Sequence, residues 1–167
     1  MIRNLLKEQK MRRLIVLILA VITICLTGCG KFDDIRIKDA KVGNVSPLGL
    51  KGVTIELTVE IDNPATNVKI SDIEADIKHS GKVLGKVTVD PFELNGRTVQ
   101  KYDLKAKVTL SENASLFDMM ALLDKKFIEN CQVDIFMKGK LRSGISKTIK
   151  ETDVPLKKLI EYADKKK

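Results

Sequence analysis

The stretch from Val53 to Ile61 reads Val-Thr-Ile-Glu-Leu-Thr-Val-Glu-Ile, a strict alternation of branched apolar residues with polar ones. Successive side chains of a β-strand point to opposite faces, so the stretch predicts a strand with one face in a core and the other in water. Asn63-Pro64 ends this strand, because proline cannot donate a sheet hydrogen bond. The pattern therefore favours an antiparallel sheet protein.

Segments with the same period lie on both sides of this strand. We predict further strands at residues 35–45, 68–78, 83–89, 102–110, 131–137 and 145–150. The apolar phase changes between Ile70 and Ile73, which predicts a β-bulge or kink at Ser71-Asp72. Asn95-Gly96 predicts a tight turn between residues 92–94 and the next strand.

One segment changes to a helical period. Apolar residues at positions 116, 120, 123 and 127 predict one amphipathic helix near 115–129, with Ser111, Asn113 or Ser115 as its N-cap. A short polar helix is predicted after Val154-Pro155-Leu156. About seven strands with one inserted helix predict a mainly β fold, an antiparallel β-sandwich of the immunoglobulin or fibronectin type III kind over residues 35–167.

The N-terminal region has the composition of a secretory signal. Residues 1–13 are basic, residues 14–26 are apolar except for Thr23, and small residues follow. A shorter signal starting at Met11 would have the same features. The run of 14 residues from Leu14 to Thr27 is shorter than the roughly 20 that a membrane-spanning helix needs.

The end of this segment, Leu26-Thr27-Gly28-Cys29, resembles the lipobox of bacterial lipoproteins. The resemblance implies cleavage after residue 28, with a diacylglycerol on the sulfur of Cys29 and an N-acyl chain on its amino group. Residues 29–34 would then be the lipidated cysteine and a short tether. Acyl chains contribute ~0.8 kcal/mol per buried methylene, so two or three chains would hold the domain on a membrane.

The lipoprotein resemblance also bears on location. Gly30 follows the cysteine, so the usual aspartate retention signal is absent, which favours the outer membrane. Residues 31–34 only loosely resemble acidic surface-export tags, because Phe32 interrupts them, so we expect the periplasmic face and not the cell surface. Residues 1–28 carry five basic residues and one acid, so the net charge of +8 falls to +4 after cleavage.

Residues 53–156 resemble the late embryogenesis abundant type 2 group, also called the water stress and hypersensitive response domain. The resemblance lies in the strand that ends at Asn63-Pro64, the hairpins with Gly81 and Gly85, and the segment from Val133 to Leu141 before Val154-Pro155-Leu156. It implies a fibronectin-like sandwich with no established enzymatic activity and an association with stress tolerance.

The sequence offers few catalytic or metal-binding candidates. The sole histidine, His79, lies in a predicted hairpin turn, where we expect it to be solvated. After removal of Cys25 and lipidation of Cys29, Cys131 has no disulfide partner and is expected to be a buried apolar residue. We predict that the protein is not an enzyme and binds no metal and no cofactor beyond the lipid. An enzymatic function would require a polar cleft around His79 or Cys131.

Three acids, Asp72, Glu74 and Asp76, share one strand and could hold calcium. Because no Asp-rich loop surrounds them, we predict instead a solvated sheet face paired with Lys82 and Lys86. Two basic stripes are candidate contacts for anionic lipid or an acidic envelope partner. They contain Lys101, Lys105, Lys107, Lys138, Lys140 and Arg142. The chain has no tryptophan and 4% aromatic residues, which argues against nucleic-acid or sugar binding.

These observations predict a membrane-anchored, non-catalytic binding or scaffolding module, related to stress through its family resemblance. The alternative is a carrier of an apolar or lipid ligand, with a pocket between the sheets or under the helix. Its lining would come from Phe117, Met119, Met120 and Phe127. The sequence leaves the oligomeric state open.

Overall fold

The computed structural model describes residues 34–121, 124–158 and 161. The predicted signal segment, the lipobox and most of the tether lie outside these residues. The described residues form eight strands: β1 (Arg36–Pro47), β2 (Gly52–Asn63), β3 (Val68–His79), β4 (Lys82–Val89), β5 (Phe92–Leu94), β6 (Thr98–Leu110), β7 (Cys131–Leu141) and β8 (Ser146–Pro155). Two short helices, α1 (Leu116–Ala121) and α2 (Lys125–Glu129), connect β6 to β7. Among the described helices, none is long and apolar enough to span a membrane.

All strand pairs are antiparallel and form one continuous sheet. Its order is β1-β2-β6-β4-β3-β7-β8, and β5 pairs with β3 beside this path. Side chains on the inner face of every strand join a single apolar cluster. A continuous sheet can enclose one core only by folding over itself, so the chain forms a mainly β, sandwich-like domain, as the alternating pattern predicts.

Strand β2 is buried on one face only, as its alternating sequence predicts. Ile55, Leu57, Val59 and Ile61 of β2 are at most 1% exposed, and the residues between them are intermediate or exposed. The strand lies between β1 and β6, so it is hydrogen-bonded on both edges.

The predicted irregularity at Ser71-Asp72 is confirmed. The register of β3 against β7 shifts between Ser71 and Glu74, and Asp72 has a positive φ of 53°. On its other edge β3 pairs with β5 before this point and with β4 after it. The bulge therefore lies where β3 changes neighbour.

The predicted turn at Asn95-Gly96 is present, but it joins two strands that do not pair with each other. Residues 95–97 do join β5 to β6, but β5 pairs with β3 while β6 pairs with β2 and β4. The chain therefore leaves the edge of β3 and joins β2 and β4, instead of forming a two-residue hairpin. The local turn signal was correct, but it does not specify which strands become partners.

The segment predicted as one helix contains two short ones. Ser115 is the N-cap of α1: its hydroxyl accepts from the amide of Asp118, and the Asp118 carboxylate accepts from the amide of Ser115. This reciprocal arrangement is a capping box. A carboxylate oxygen of Asp124 accepts from the amides of Lys126 and Phe127 and so caps α2. Helical backbone also follows β8 at residues 156–158 and 161, and the rest of the predicted C-terminal helix lies outside the described residues.

Candidate interaction surfaces

The folded domain begins only a few residues after Cys29, the predicted lipid anchor. Ile35 is 2% exposed and belongs to the core, and β1 starts at the next residue. Ile35 lies six positions after Cys29. An extended chain spans at most about 3.3–3.6 Å per residue, so this separation is roughly 20 Å or less. The start of β1 is therefore the part of the domain nearest to Cys29 along the chain.

The first basic stripe lies on the outer face of β6, where acids separate its cations. Lys105 Nζ is 4.0 Å from a carboxylate oxygen of Glu56, and Lys107 Nζ is 3.3 Å from Asp90. Lys101 is opposite Glu60 in the strand pairing. The face is thus a cross-strand mixture of charges, not a continuous positive surface.

In the second basic stripe, on β7 and the turn after it, only Lys138 is paired with an acid. Lys138 Nζ lies 3.0 Å from Asp72 and 5.6 Å from the centroid of the Phe136 ring. Lys140 is exposed and lies opposite another cation, Lys69, in the strand pairing. Arg142 is exposed in the turn after β7. Lys138 and Lys140 therefore share one exposed face of β7, and they differ in their partners: Lys138 is paired with an acid, whereas Lys140 faces a cation near the end of the sheet.

The acidic residues of β3 interact with lysines. Lys86 Nζ lies 3.0 Å from Glu74 and 3.8 Å from Asp76, as predicted, and hydrogen bonding to Glu74 raises the pKa of Lys86. Lys82 was also expected to pair with these acids, but it lies 3.5 Å from Asp118 at the start of α1. Within the described residues, no group of three or more histidine, cysteine or acidic side chains is arranged to hold a metal ion.

A three-strand ion cluster links Lys78, Asp134 and Asp153. Lys78 Nζ is 2.8 Å from an oxygen of Asp134 and 2.7 Å from an oxygen of Asp153, and the Asp153 amide donates to Asp134 at 2.8 Å. The pairing of β7 with β8 is irregular at this point, and Asp153 has a φ of 55°. The cluster therefore closes around a bulge in the edge strand.

The pKa values in this cluster reflect its contacts. Desolvation alone would raise the pKa of Asp134, but hydrogen bonds from Lys78 and from the Asp153 amide outweigh it, and the pKa is lowered. Hydrogen bonds to Asp134 and then to Asp153 raise the pKa of Lys78. Both changes favour the charged forms, as expected for a paired acid and base.

His79 and Cys131 lie together at the junction of α2 with the sheet. The ring of His79 stacks on Phe127 with centroids 4.2 Å apart, so this histidine is half-buried and packed, not freely solvated as predicted. Cys131 is 1% exposed, as expected, and its thiol donates to the Phe127 carbonyl at 3.4 Å. Desolvation raises the pKa of this thiol from 9.0 to about 11.

The residues expected to line a ligand pocket do not share one environment. Phe117 is 82% exposed, so it lines no interior cavity. Phe127 packs against the core and against His79. The side chains of Met119 and Met120 are not among those that the structure describes.

The most specific polar site is at Asn63, the residue before Pro64. Its side chain is completely buried and makes three hydrogen bonds. The side-chain amide donates to the carbonyl oxygens of Thr66 at 3.1 Å and Asn95 at 3.0 Å, and its oxygen accepts from the Ala65 amide at 3.1 Å. The sequence motif therefore corresponds to a clamp between two loops, 63–67 and 95–97.

Gly96 is the second part of this clamp, and sequence reasoning did not identify its role. A Cβ at this position would lie 2.6 Å from the Ala65 carbonyl oxygen and 2.7 Å from the Thr66 carbonyl carbon. The Gly96 amide donates to the side chain of Asn67 at 2.9 Å, and the Arg97 amide donates to the Ala65 carbonyl at 3.0 Å. The Asn95-Gly96 pair gave a turn signal, but not the contact that requires glycine.

Comparison with known proteins adds little about function. No family model matches the sequence, and no curated protein matches it. One similar solved structure is described as the crystal structure of a protein from Archaeoglobus fulgidus. It is 9% identical, with a TM-score of 0.41, and the match covers 70% of this chain and 97% of that one. A likeness of this degree assigns no function.

Proposed function

We propose that this protein is a lipid-anchored bacterial envelope lipoprotein whose domain is a non-catalytic binding or scaffolding module. The observation that carries the proposal is the position of the lipobox-like Leu26-Thr27-Gly28-Cys29, directly before a sheet domain whose core already includes Ile35. In this proposal Cys29 carries a diacylglycerol on its sulfur and an acyl chain on its amino group. The membrane is then the first partner of the domain.

Two features support a non-catalytic role. Catalytic cysteines depend on a readily formed thiolate, whereas the pKa of Cys131 is raised to about 11 in a buried site. The His79 ring packs against Phe127, an arrangement that contributes to stability. A desolvated thiol and a stacked imidazole ring favour a structural role for both groups.

The resemblance to the late embryogenesis abundant type 2 group remains a proposal about ancestry. It is supported by the Asn63-Pro64 pair, because the buried Asn63 side chain gives a structural reason to retain asparagine at this position. The proposal implies a binding or stress-related role and names no substrate. The absence of aspartate after Cys29 supports an outer-membrane location, and Phe32, which interrupts the surface-export pattern, supports the periplasmic face.

Intact-mass analysis of protein purified from native membranes tests the anchor. We expect a species that starts at Cys29 and carries the added mass of two or three acyl chains. A Cys29→Ser variant should keep its signal segment and lose the acyl mass, whereas a Cys131→Ser variant should be processed normally. A native species that retains residues 1–28 without acyl mass would refute the proposal.

A further inference from the structure

The strand directions bring three loops to the end of the domain where β1 starts. Arg36 pairs with Asp62, and Asn63 pairs with Thr98. Val68 pairs with both Leu94 and Leu141. Loops 64–67, 95–97 and 142–145 therefore surround one end of the sandwich, which we call the anchor end.

Exposed cations concentrate at the anchor end. They are Arg36, Lys69, Arg97, Lys140, Arg142 and Lys147. The acids in the same region are Asp34, Asp62 and Glu93. Two of these already have contacts: Asp62 lies 3.7 Å from Lys38, and Glu93 accepts from the Asn67 side chain at 3.4 Å. Positive charge is therefore in excess at this end.

The anchor end also exposes apolar side chains beside these cations. Ile145 is 63% exposed in the turn that contains Arg142, and Val99 is 52% exposed near the start of β6. Basic residues around an exposed aliphatic side chain suit a membrane interface, where the cation meets a headgroup and the aliphatic group enters the acyl boundary. The composition of this end matches such a surface.

The opposite end of the domain has a different charge balance. It also exposes apolar residues, Leu50 at 99% and Phe117 at 82%. However, its six lysines, Lys51, Lys82, Lys125, Lys126, Lys157 and Lys158, are offset by five acids, Glu112, Asp118, Asp124, Glu129 and Glu161. Six cations and three acids at the anchor end leave a larger positive excess there, so the anchor end attracts an anionic surface more strongly.

We propose that the anchor end is a headgroup-contacting surface for anionic phospholipid, centred on Arg97, Arg142 and Ile145. This inference rests on the proposed lipid anchor, because the roughly 20 Å from Cys29 to Ile35 holds this end near the bilayer. It differs from binding through the first basic stripe, on the outer face of β6. Lys105 and Lys107 are paired with acids there, whereas Arg97 and Arg142 lie in exposed loops.

A single added cysteine can report the position of each end. Cys131 is buried with a raised pKa, so a polarity-sensitive thiol probe should react with an introduced cysteine at neutral pH and leave Cys131 unlabelled. We would label the lipidated Ile145→Cys and Leu50→Cys proteins and reconstitute each into phosphatidylcholine vesicles with or without phosphatidylglycerol. We expect a blue shift and quenching by spin-labelled lipid at residue 145 in the phosphatidylglycerol vesicles only.

Charge-reversal variants test the electrostatic part. Lys140→Glu with Arg142→Glu should lower the ratio of lipid-contacting to detached domain about twenty-fivefold or more, since each cation near an anionic surface contributes about fivefold. Lys140→Glu also places opposite charges on Lys69 and residue 140, so we expect the variant to fold. Arg97→Asn provides a second test, because asparagine tolerates the positive φ of 56° at this position. Lys51→Glu with Lys157→Glu, at the opposite end, is the matched control and should have no effect.

Three results would overturn the inference. They are equal probe responses at residues 145 and 50, a residue-145 response that is the same in neutral vesicles, and a response to soluble polyglutamate without a response to vesicles. The last result would indicate an acidic protein partner. Intact mass of the same preparation separates the two proposals: missing acyl chains refute the anchor, while an acylated protein whose residue-145 probe stays in water refutes only the headgroup contact.

Discussion

The side-chain amide of Asn63 donates to the main-chain carbonyl of Asn95 across 3.0 Å, although 32 residues separate them in sequence. The bond fixes the end of β2 to the loop between β5 and β6. Because β5 and β6 pair with different strands, this loop has no hairpin ladder of its own to hold it. Asn63 replaces that support with side-chain hydrogen bonds.

We expect Asn63→Ala to destabilise the protein by about 3 kcal/mol. The substitution removes three part-buried hydrogen bonds, and a hydrogen bond typically contributes about 0.5–1.5 kcal/mol net. Equilibrium urea unfolding would measure the change. Asn44→Ala is the control, because Asn44 is exposed on β1 and should stay within about 0.5 kcal/mol of wild type. An equal effect of the two substitutions would refute the clamp.

Gly96→Ala should destabilise the protein by about 1–3 kcal/mol, the range for forced overpacking. The new Cβ would meet backbone atoms of residues 65 and 66 at 2.6–2.7 Å, and backbone cannot move aside as a flexible side chain does. Thermal unfolding would measure the loss. At Gly43 an added Cβ meets its nearest atoms at 3.5 Å, so Gly43→Ala should be close to neutral. A neutral Gly96→Ala would show that the two loops are not in close contact.

The ion cluster around Lys78 predicts a pH dependence. The pKa of Asp134 is lowered in the folded state, so its contribution to stability is fully present above the ordinary aspartate pKa of about 4. That contribution is lost as the pH falls through the lower folded pKa. Lys78→Met should raise the pKa of Asp134 toward its ordinary value and lower the stability at neutral pH.

Carbon-detected NMR titration of the Asp134 carboxyl would measure this change directly. Lys41→Met is a suitable comparison, because Lys41 is 74% exposed in its ion pair with Asp39 and contacts no part of the cluster. The interpretation fails if Lys78→Met leaves the titration of Asp134 unchanged.

Cys131 should resist thiol reagents in the native protein. A pKa raised from 9.0 to about 11 lowers the thiolate fraction at pH 8 about a hundredfold, and the side chain is 1% exposed as well. Maleimide labelling followed by mass spectrometry should show modification only as fast as the domain unfolds. In the Ile145→Cys protein the introduced cysteine should react within the mixing time under the same conditions. Equal rates at the two positions would contradict the buried environment of Cys131.

Local sequence pattern was sufficient for the strands and for the bulge in β3. The alternation from Val53 to Ile61 repeats every second residue, and that period is a property of one strand without reference to its neighbours. The apolar side chains change phase between Ile70 and Ile73, so one extra residue must be accommodated there whichever strands are the neighbours. The capping box of α1 was partly visible as Ser115, one of the three N-cap candidates.

The pairing of side chains was not visible in the sequence. Lys82 was expected to meet the acids of β3 and lies beside Asp118 instead, while Lys78 reaches Asp153 across strand β7. These contacts depend on strand order, which brings together residues that are 36 and 75 positions apart. Periodicity carries no information about that order.

The sequence by itself determined the sheet class and the location of the apolar face on each strand, because both follow from the period of adjacent residues. The anchor at Cys29 is a proposal that also comes from the sequence alone. Only the tertiary structure decided that Asn63 and Gly96 join two loops and that the exposed cations gather at the end where β1 starts. Both depend on the folding of one continuous sheet around a single core, which places distant segments side by side.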